Sequence, residues 1–288
     1  MVLDPDTIYN WPFEDVVQDY SERDSIIYAL GLGFGADPMD EGQLRFVFEE
    51  RDFAAVPTMA AVLCTPGFWV RDPGTGVDWH KVLHGEMGIE LHKPLPPAAH
   101  IVARNKVVNI IDKGEGKGAL LFQERVVKDV ATGEALATLT STTFARGDGG
   151  CGGSSGPQPE PHALPDREPD SVCDLATLPQ AALIYRLSGD PNPLHADPKV
   201  AAAAGFDQPI LHGLCTLGVA GHAVLRTYCD YQVERFKSLK LRFSSPVFPG
   251  ETIRTEMWKD GNEISFRARV LERDVVVLNN GLCVVGDG

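Results

Sequence analysis

One pattern occurs twice in this chain and limits the folds open to it: apolar helical spacing followed by long segments that alternate with a period of two. In the first half, helical spacing over Asp24 to Leu30 stops at Gly31, and a second apolar segment covers Thr58 to Cys64. Alternating segments follow at Gly85 to His92, Ala99 to Ile111, Leu120 to Val130 and Ala135 to Phe144, with turns at Asp112-Lys113-Gly114 and Thr132-Gly133. In the second half, Asp197 is placed to cap a short helix with Pro198 at its first position and Gly205 past its end. Leu214 to Tyr228 then has the spacing and low charge of a helix buried on most sides. Strands return at Ser238 to Phe243, Thr252 to Trp258, Glu263 to Leu271 and Val275 to Val284, with Asp260-Gly261-Asn262 as a hairpin turn.

Both halves also carry a Pro-rich crossing between strands, Leu91-His92-Lys93-Pro94-Leu95-Pro96-Pro97 and Leu241-Arg242-Phe243-Ser244-Ser245-Pro246-Val247-Phe248-Pro249-Gly250. Between the halves the composition turns Gly-rich from Gly147 to Gly156 and then Pro-rich at Pro157, Pro159, Pro161, Pro165 and Pro169, which reads as a flexible linker. The chain therefore divides into an N-terminal unit over 1–150, a linker over 151–171 and a C-terminal unit over 172–288. Each unit is near the usual size of one domain. An apolar helix and a long antiparallel meander pack best as a curved sheet wrapped around the helix. The expected class is α+β, a double hot-dog fold in which two antiparallel sheets each wrap a central helix.

With 26 Lys and Arg against 40 Asp and Glu, the net charge of -14 opposes binding to nucleic acid or to an anionic membrane surface. An anionic ligand needs a local basic cluster. Cys64, Cys151, Cys173, Cys215, Cys229 and Cys283 are irregularly spaced without a Cys-x-x-Cys pair, so they read as reduced thiols of an intracellular protein. The acidic N-terminus does not read as a targeting peptide, and no apolar run is long enough for a transmembrane helix. Val285-Gly286-Asp287-Gly288 carries no Ser-Lys-Leu type address.

The chemistry concentrates in Tyr185 to Pro198, where Asp190, Asn192 and His195 lie among prolines and turn residues. Some fifteen residues later Pro209-Ile210-Leu211-His212-Gly213 opens the long apolar helix, whose first amides form an anion-binding terminus. Together they outline an acid/base pair beside an anion hole. Such a pair can take a proton from one atom and return one to another, while the hole steadies an oxyanion that forms in between. Taken singly, the residues have plainer readings. Asp190 and Asn192 suit turns, His195 suits a core, and Asp197 is explained as a helix cap. Glu86 suits a sheet, Phe243 suits a core or an acyl-chain contact, and His212 suits a bond to a nearby carbonyl. A metal held by Asp190, His195, Asp197 and His212 is disfavoured because the spacing lacks a helical His pair.

The run Tyr185-Arg186-Leu187-Ser188-Gly189-Asp190-x-Asn192-Pro193-Leu194-His195-x-Asp197-Pro198, continued by Gly205-Phe206-Asp207-x-Pro209-Ile210-Leu211-His212-Gly213-Leu214-Cys215, resembles the MaoC-like, hydratase 2 family of (R)-specific enoyl-CoA hydratases. Tyr28-Ala29-Leu30-Gly31, Val82-Leu83-His84-Gly85-Glu86 and Lys93-Pro94-Leu95-Pro96 resemble the family's degenerate first half. The resemblance implies hydration of trans-2-enoyl-CoA to (3R)-3-hydroxyacyl-CoA, with no metal or redox cofactor. It assigns Asp190 and His195 as the catalytic pair, Asn192 as their polar support and Gly213 as the backbone donor to the thioester oxygen. Glu86 falls on a family acidic position. It further implies an acyl-CoA thioester as partner, a homodimer and a peroxisomal placement, with the cytoplasm as the alternative where the terminal address is missing. The first unit lacks an Asp-x-Asn-x-x-His run, so one active site per chain is expected, with the first unit housing the acyl chain. A hot-dog thioesterase and a non-catalytic acyl-CoA-binding module are the rival readings.

Overall fold

The structure, a computed structural model, describes residues 3–154 and 156–287. Met1 and Val2 of the N-terminus, Ser155 of the expected linker and Gly288 of the C-terminus lie outside them. The helices are α1 (Pro5–Tyr9), α2 (Glu22–Gly31), α3 (Glu41–Leu44), α4 (Ala181–Tyr185), α5 (Pro198–Ala203) and α6 (Gly213–Tyr228). The first unit supplies strands β1 (Asp15–Tyr20), β2 (Val82–Leu91), β3 (Ala99–Asp112), β4 (Ala119–Asp129) and β5 (Ala135–Ala145). The second supplies β6 (Ser171–Ala176), β7 (Phe236–Phe243), β8 (Thr252–Asp260), β9 (Glu263–Val270) and β10 (Val275–Val285).

The sheet order is β1-β3-β4-β5-β2-β7-β10-β9-β8-β6, and every pairing is antiparallel. Outward from the β2–β7 seam, the two units run in the same order, β2-β5-β4-β3-β1 and β7-β10-β9-β8-β6, so the duplication read from the sequence is a structural one. The two Pro-rich crossings occupy equivalent places, after β2 and after β7. Equivalent edge strands even carry the same cross-strand pair: Arg104 Nε donates to Asp15 at 2.8 Å and Arg254 Nε to Asp174 at 2.8 Å.

Three expectations change. The double hot dog has one continuous ten-stranded sheet rather than two, because Met87 pairs with Leu241 and Ile89 with Leu239 across the seam. All four side chains are buried, so a single apolar layer crosses from unit to unit. Among the described residues, only the second unit has a full central helix. In α6 every residue from Cys215 to Leu225 is buried, whereas the first unit has a buried 3₁₀ turn, Pro57–Val62, followed by shorter 3₁₀ turns up to Lys81. That segment stops where Leu63 turns extended and Cys64 takes a positive φ of 48°.

The Gly-rich run is also docked rather than loose. The Asp112 carboxylate accepts N–H bonds from Gly114, Gly150 and Gly152 at 2.8, 2.8 and 2.9 Å. A Cβ on Gly149 would fall 2.1 Å from the Gly114 carbonyl oxygen, so glycine is needed there for close approach of two backbones. Further along, Asn280 donates to the His162 carbonyl at 2.8 Å and Trp258 to the Arg167 carbonyl at 2.7 Å, which straps the connection to the second unit.

Candidate active site

The Asp190 loop begins where α4 tightens into a 3₁₀ turn, Arg186–Ser188, and ends in a second one, Pro193–His195. Its polar side chains first serve the loop itself. Asp190 accepts the Asn192 N–H at 3.1 Å, Asn192 accepts the Leu194 N–H at 3.1 Å, and Asp197 caps α5 by accepting the Lys199 N–H at 2.8 Å. The Asn192 carbonyl oxygen is thus committed to a turn, and Asp197 is the cap that its position predicts.

His195 is buried, and its Nδ1 lies 2.8 Å from the Ile210 carbonyl oxygen. A carbonyl only accepts, so Nδ1 carries the proton and Nε2 keeps a free lone pair. Burial lowers the His195 pKa from its ordinary value, against the opposing pull of the Ile210 bond and the Asp190 carboxylate. The ring is therefore neutral near pH 7 with an open basic nitrogen. Beneath it, the His212 ring lies nearly parallel at 3.7 Å, and its Nε2 donates to the Asp190 backbone carbonyl at 3.2 Å.

His212 immediately precedes Gly213, the first residue of α6. The first N–H groups of a helix have no intrahelical acceptor, so the Gly213 amide is a free donor at the positive end of a buried helix. The Phe243 ring packs over it, with carbons 3.3 Å from where a Gly213 Cβ would stand. Phe243 in turn lies 4.7 Å from the His84 ring.

His84 is the wall residue that sequence reasoning quoted without assigning. A bulge at Gly85 separates His84 from Glu86, so His84 reaches Phe243 while Glu86 does not. A glycine inside an otherwise alternating strand was the available signal. His84 opens onto a cavity of about 270 Å³ shared with Phe243, Lys113 and Arg242. The His84 side chain is exposed on that wall. Arg125, buried on β4, donates to the Ala61 and Leu63 carbonyls at 2.7 and 3.2 Å. Glu86 stands on the sheet face opposite the buried Met87. It accepts from Arg242 at 2.6 and 2.9 Å and from Thr142 at 3.2 Å, a polar clamp across the seam.

Asp190, His195 and His212 offer ligand atoms within 4.8 Å of one another. Stacked imidazoles nevertheless aim their lone pairs side by side, and a metal midway between the rings would lie out of both ring planes. The cluster suits proton transfer better than coordination. What the geometry brings together is a neutral base, a carboxylate and a helix-terminal amide; Glu86 lines the neighbouring cavity in its clamp with Arg242, and the Asn192 side-chain oxygen serves its own turn.

Comparison with known proteins agrees with this arrangement. Residues 18–147 match the family described as the MFE-2 hydratase 2 N-terminal domain, and residues 161–280 match the MaoC like domain. The chain is 37% identical to the probable enoyl-CoA hydratase 2 of Dictyostelium discoideum over 99% of this chain and 97% of that protein. It is 41% identical to peroxisomal multifunctional enzyme type 2 of Mus musculus over 91% of this chain, and that match spans 36% of the mouse protein. The crystal structure of a MaoC-like dehydratase from Phytophthora capsici superposes with a TM-score of 0.87 at 37% identity, covering 99% of this chain and 100% of that one. With both units matched in order and the Asp190 loop set against the α6 terminus, this chain belongs to the MaoC-like hydratase 2 family.

Proposed function

We propose that the protein reversibly hydrates trans-2-enoyl-CoA to (3R)-3-hydroxyacyl-CoA in fatty acid metabolism. The observation that carries the reading is the free Nε2 of His195, fixed by the Ile210 bond, on a ring that has a nitrogen within 4.8 Å of an Asp190 carboxylate oxygen. Water sits between these two acceptors. As its oxygen adds to C3, Nε2 takes one proton, and the C2–C3 π electrons move into the thioester as an enolate. The Gly213 amide receives that oxygen at the positive end of α6. The imidazolium formed beside the Asp190 carboxylate then returns its proton to C2, closing the balance with water and thioester alone. The step needs no redox group and no metal.

Two cavities support the placement of the substrate. The one beside Phe243 holds the thioester arm, with Lys113 as a cation at its rim. A second, of about 120 Å³, connects Met59, Val62 and Leu63 of the first unit with Gly189, one residue before Asp190, and takes the start of the acyl chain. Val62→Phe should therefore favour short over long substrates, read as the ratio of kcat/KM for crotonyl- and decenoyl-CoA. The primary test is loss of enoyl absorbance with crotonyl-, decenoyl- and hexadecenoyl-CoA, with chiral analysis of the product. Release of free CoA thiol without 3-hydroxyacyl product would instead identify a thioesterase.

A further inference from the structure

We infer that His212 is a positioning residue: it ties the proton-transfer loop to the oxyanion helix and fixes the plane of the His195 ring. The inference rests on the hydratase reading for what Asp190, His195 and Gly213 do, and on geometry for the rest.

His212 is 1% exposed and occupies the N-cap position of α6, yet its side chain makes no capping bond to that helix. It turns instead to the Asp190 carbonyl, which fixes its tautomer as Nε2–H because a carbonyl only accepts. One residue thereby joins the backbone that carries Asp190 to the backbone that presents the Gly213 amide. Its ring then lies over His195 at 3.7 Å and 26°. The Ile210 bond restrains His195 within its plane, and the stack restrains rotation of that plane, so the two contacts together aim the Nε2 lone pair.

Packing alone does not explain an imidazole here. The Nδ1 of His212 is buried without a hydrogen-bond partner among the described residues, and such an atom costs stability that an apolar ring would not. The groups facing His212 are His195 above it, the Asp190 carbonyl and carboxylate, Arg186 from the preceding turn, and Tyr185 with its ring at 5.1 Å. Behind Tyr185 stands Tyr28 of the first unit, ring to ring at 5.6 Å. Burial first, then the repulsion a second proton would meet beside His195 and Arg186, outweigh Asp190 and lower the His212 pKa, so it stays the neutral donor that the Asp190 contact needs.

Two substitutions separate the contacts. His212→Phe keeps a flat ring over His195 and removes the donor to Asp190, whereas His212→Gln keeps an amide donor and removes the ring. Each should lose roughly tenfold in kcat and His212→Ala roughly 100-fold, with KM within about twofold, as expected when reacting groups shift by a fraction of an ångström. Wild-type kcat in His212→Ala, or a loss confined to KM, overturns the inference. Imidazole ¹⁵N NMR of the wild-type protein reads the same geometry without turnover, and so remains decisive if a variant fails to fold or if no enoyl-CoA is hydrated. His212 should show the Nε2–H tautomer and His195 the Nδ1–H tautomer from pH 8 to about pH 6. An Nδ1–H tautomer at His212, or its titration in the ordinary imidazole range, overturns the inference.

Discussion

Replacing Gly213 by alanine tests the oxyanion assignment with little disturbance to the fold. Gly213 is not among the residues in the left-handed region, and alanine is the better helix former, so the backbone accepts the change. The added methyl meets two Phe243 ring carbons at 3.3 Å, inside the usual separation of about 3.5–4.0 Å, and the ring must retreat by a few tenths of an ångström. Retreat of Phe243 moves the same wall that faces the amide, and the methyl itself stands where a thioester carbonyl approaches. Loss of one oxyanion donor costs about 3–4 kcal/mol, so kcat/KM in G213A should fall by about 100- to 1,000-fold. The melting temperature should stay within about 2–3 °C, since no core cavity is opened. The assay is initial-rate hydration of decenoyl-CoA alongside thermal unfolding, repeated in F243L and in the double variant. Leucine at 243 gives the methyl room without clearing the carbonyl's path, so the double variant should remain slow. Wild-type kcat/KM in G213A refutes the amide as thioester donor; full recovery in the double variant assigns the loss to the aromatic wall instead.

His195→Gln and Asp190→Asn should each lower kcat by roughly 100- to 10,000-fold with unchanged far-UV dichroism, and near-normal turnover in both would remove the pair from the chemistry. Because burial lowers the His195 pKa, the acid limb of kcat/KM should lie below the ordinary imidazole range. Arg125→Met removes two hydrogen bonds from a buried guanidinium to the Ala61 and Leu63 carbonyls, which should cost about 3 kcal/mol in urea unfolding; a loss under about 0.5 kcal/mol would show those carbonyls to be satisfied in other ways. His222 stacks on Phe34 at 3.6 Å, neither ring nitrogen meets a partner in hydrogen-bonding geometry among the described residues, and burial pushes it down to about 4 from 6.5. The folded state excludes a proton that the unfolded chain binds, so stability is full above about pH 6.5 and declines towards pH 4, by about 2–4 kcal/mol from this residue. His222→Phe should flatten that decline in urea titrations at pH 7.5 and 5.0, and an unchanged slope would show that His222 is not its source.

The strands were legible because long alternation with flanking turns is a local signal, and each central strand was placed to within a few residues. β1 and β6 were missed for a physical reason. Each has six residues with exposed acids, and each is an edge strand held by one neighbour and a cross-strand Arg–Asp pair that only the register reveals. Glycine composition at 147–156 signalled flexibility, whereas the Asp112 carboxylate and the close approach of Gly149 to Gly114 make those glycines a docking surface. At the site, Asp190, His195 and Gly213 were legible as a motif. The placement of His84 depends on a bulge, and the orientation of His212 on a ring stack, neither of which has a local signature.

The loss of a central helix from the first unit follows from how α6 is used. Two of its residues, Gly218 and Gly221, leave room for the first unit: a Cβ at Gly218 would meet Leu32 at 2.5 Å, and one at Gly221 would meet Thr58 at 2.5 Å. Leu32 lies just past α2 and Thr58 in the 3₁₀ turn, so the first unit packs directly onto the second unit's helix. Tyr28 extends the same contact by donating to Thr58 at 3.1 Å while facing Tyr185, which borders His212. One helix therefore fills the interior that both units share, and a second full helix would compete with it for the same space. The amides proposed to receive a thioester oxygen stand at the start of that helix, and among the described residues the first unit has no equivalent buried helix. The 3₁₀ segment of the first unit instead borders the 120 Å³ cavity beside Gly189.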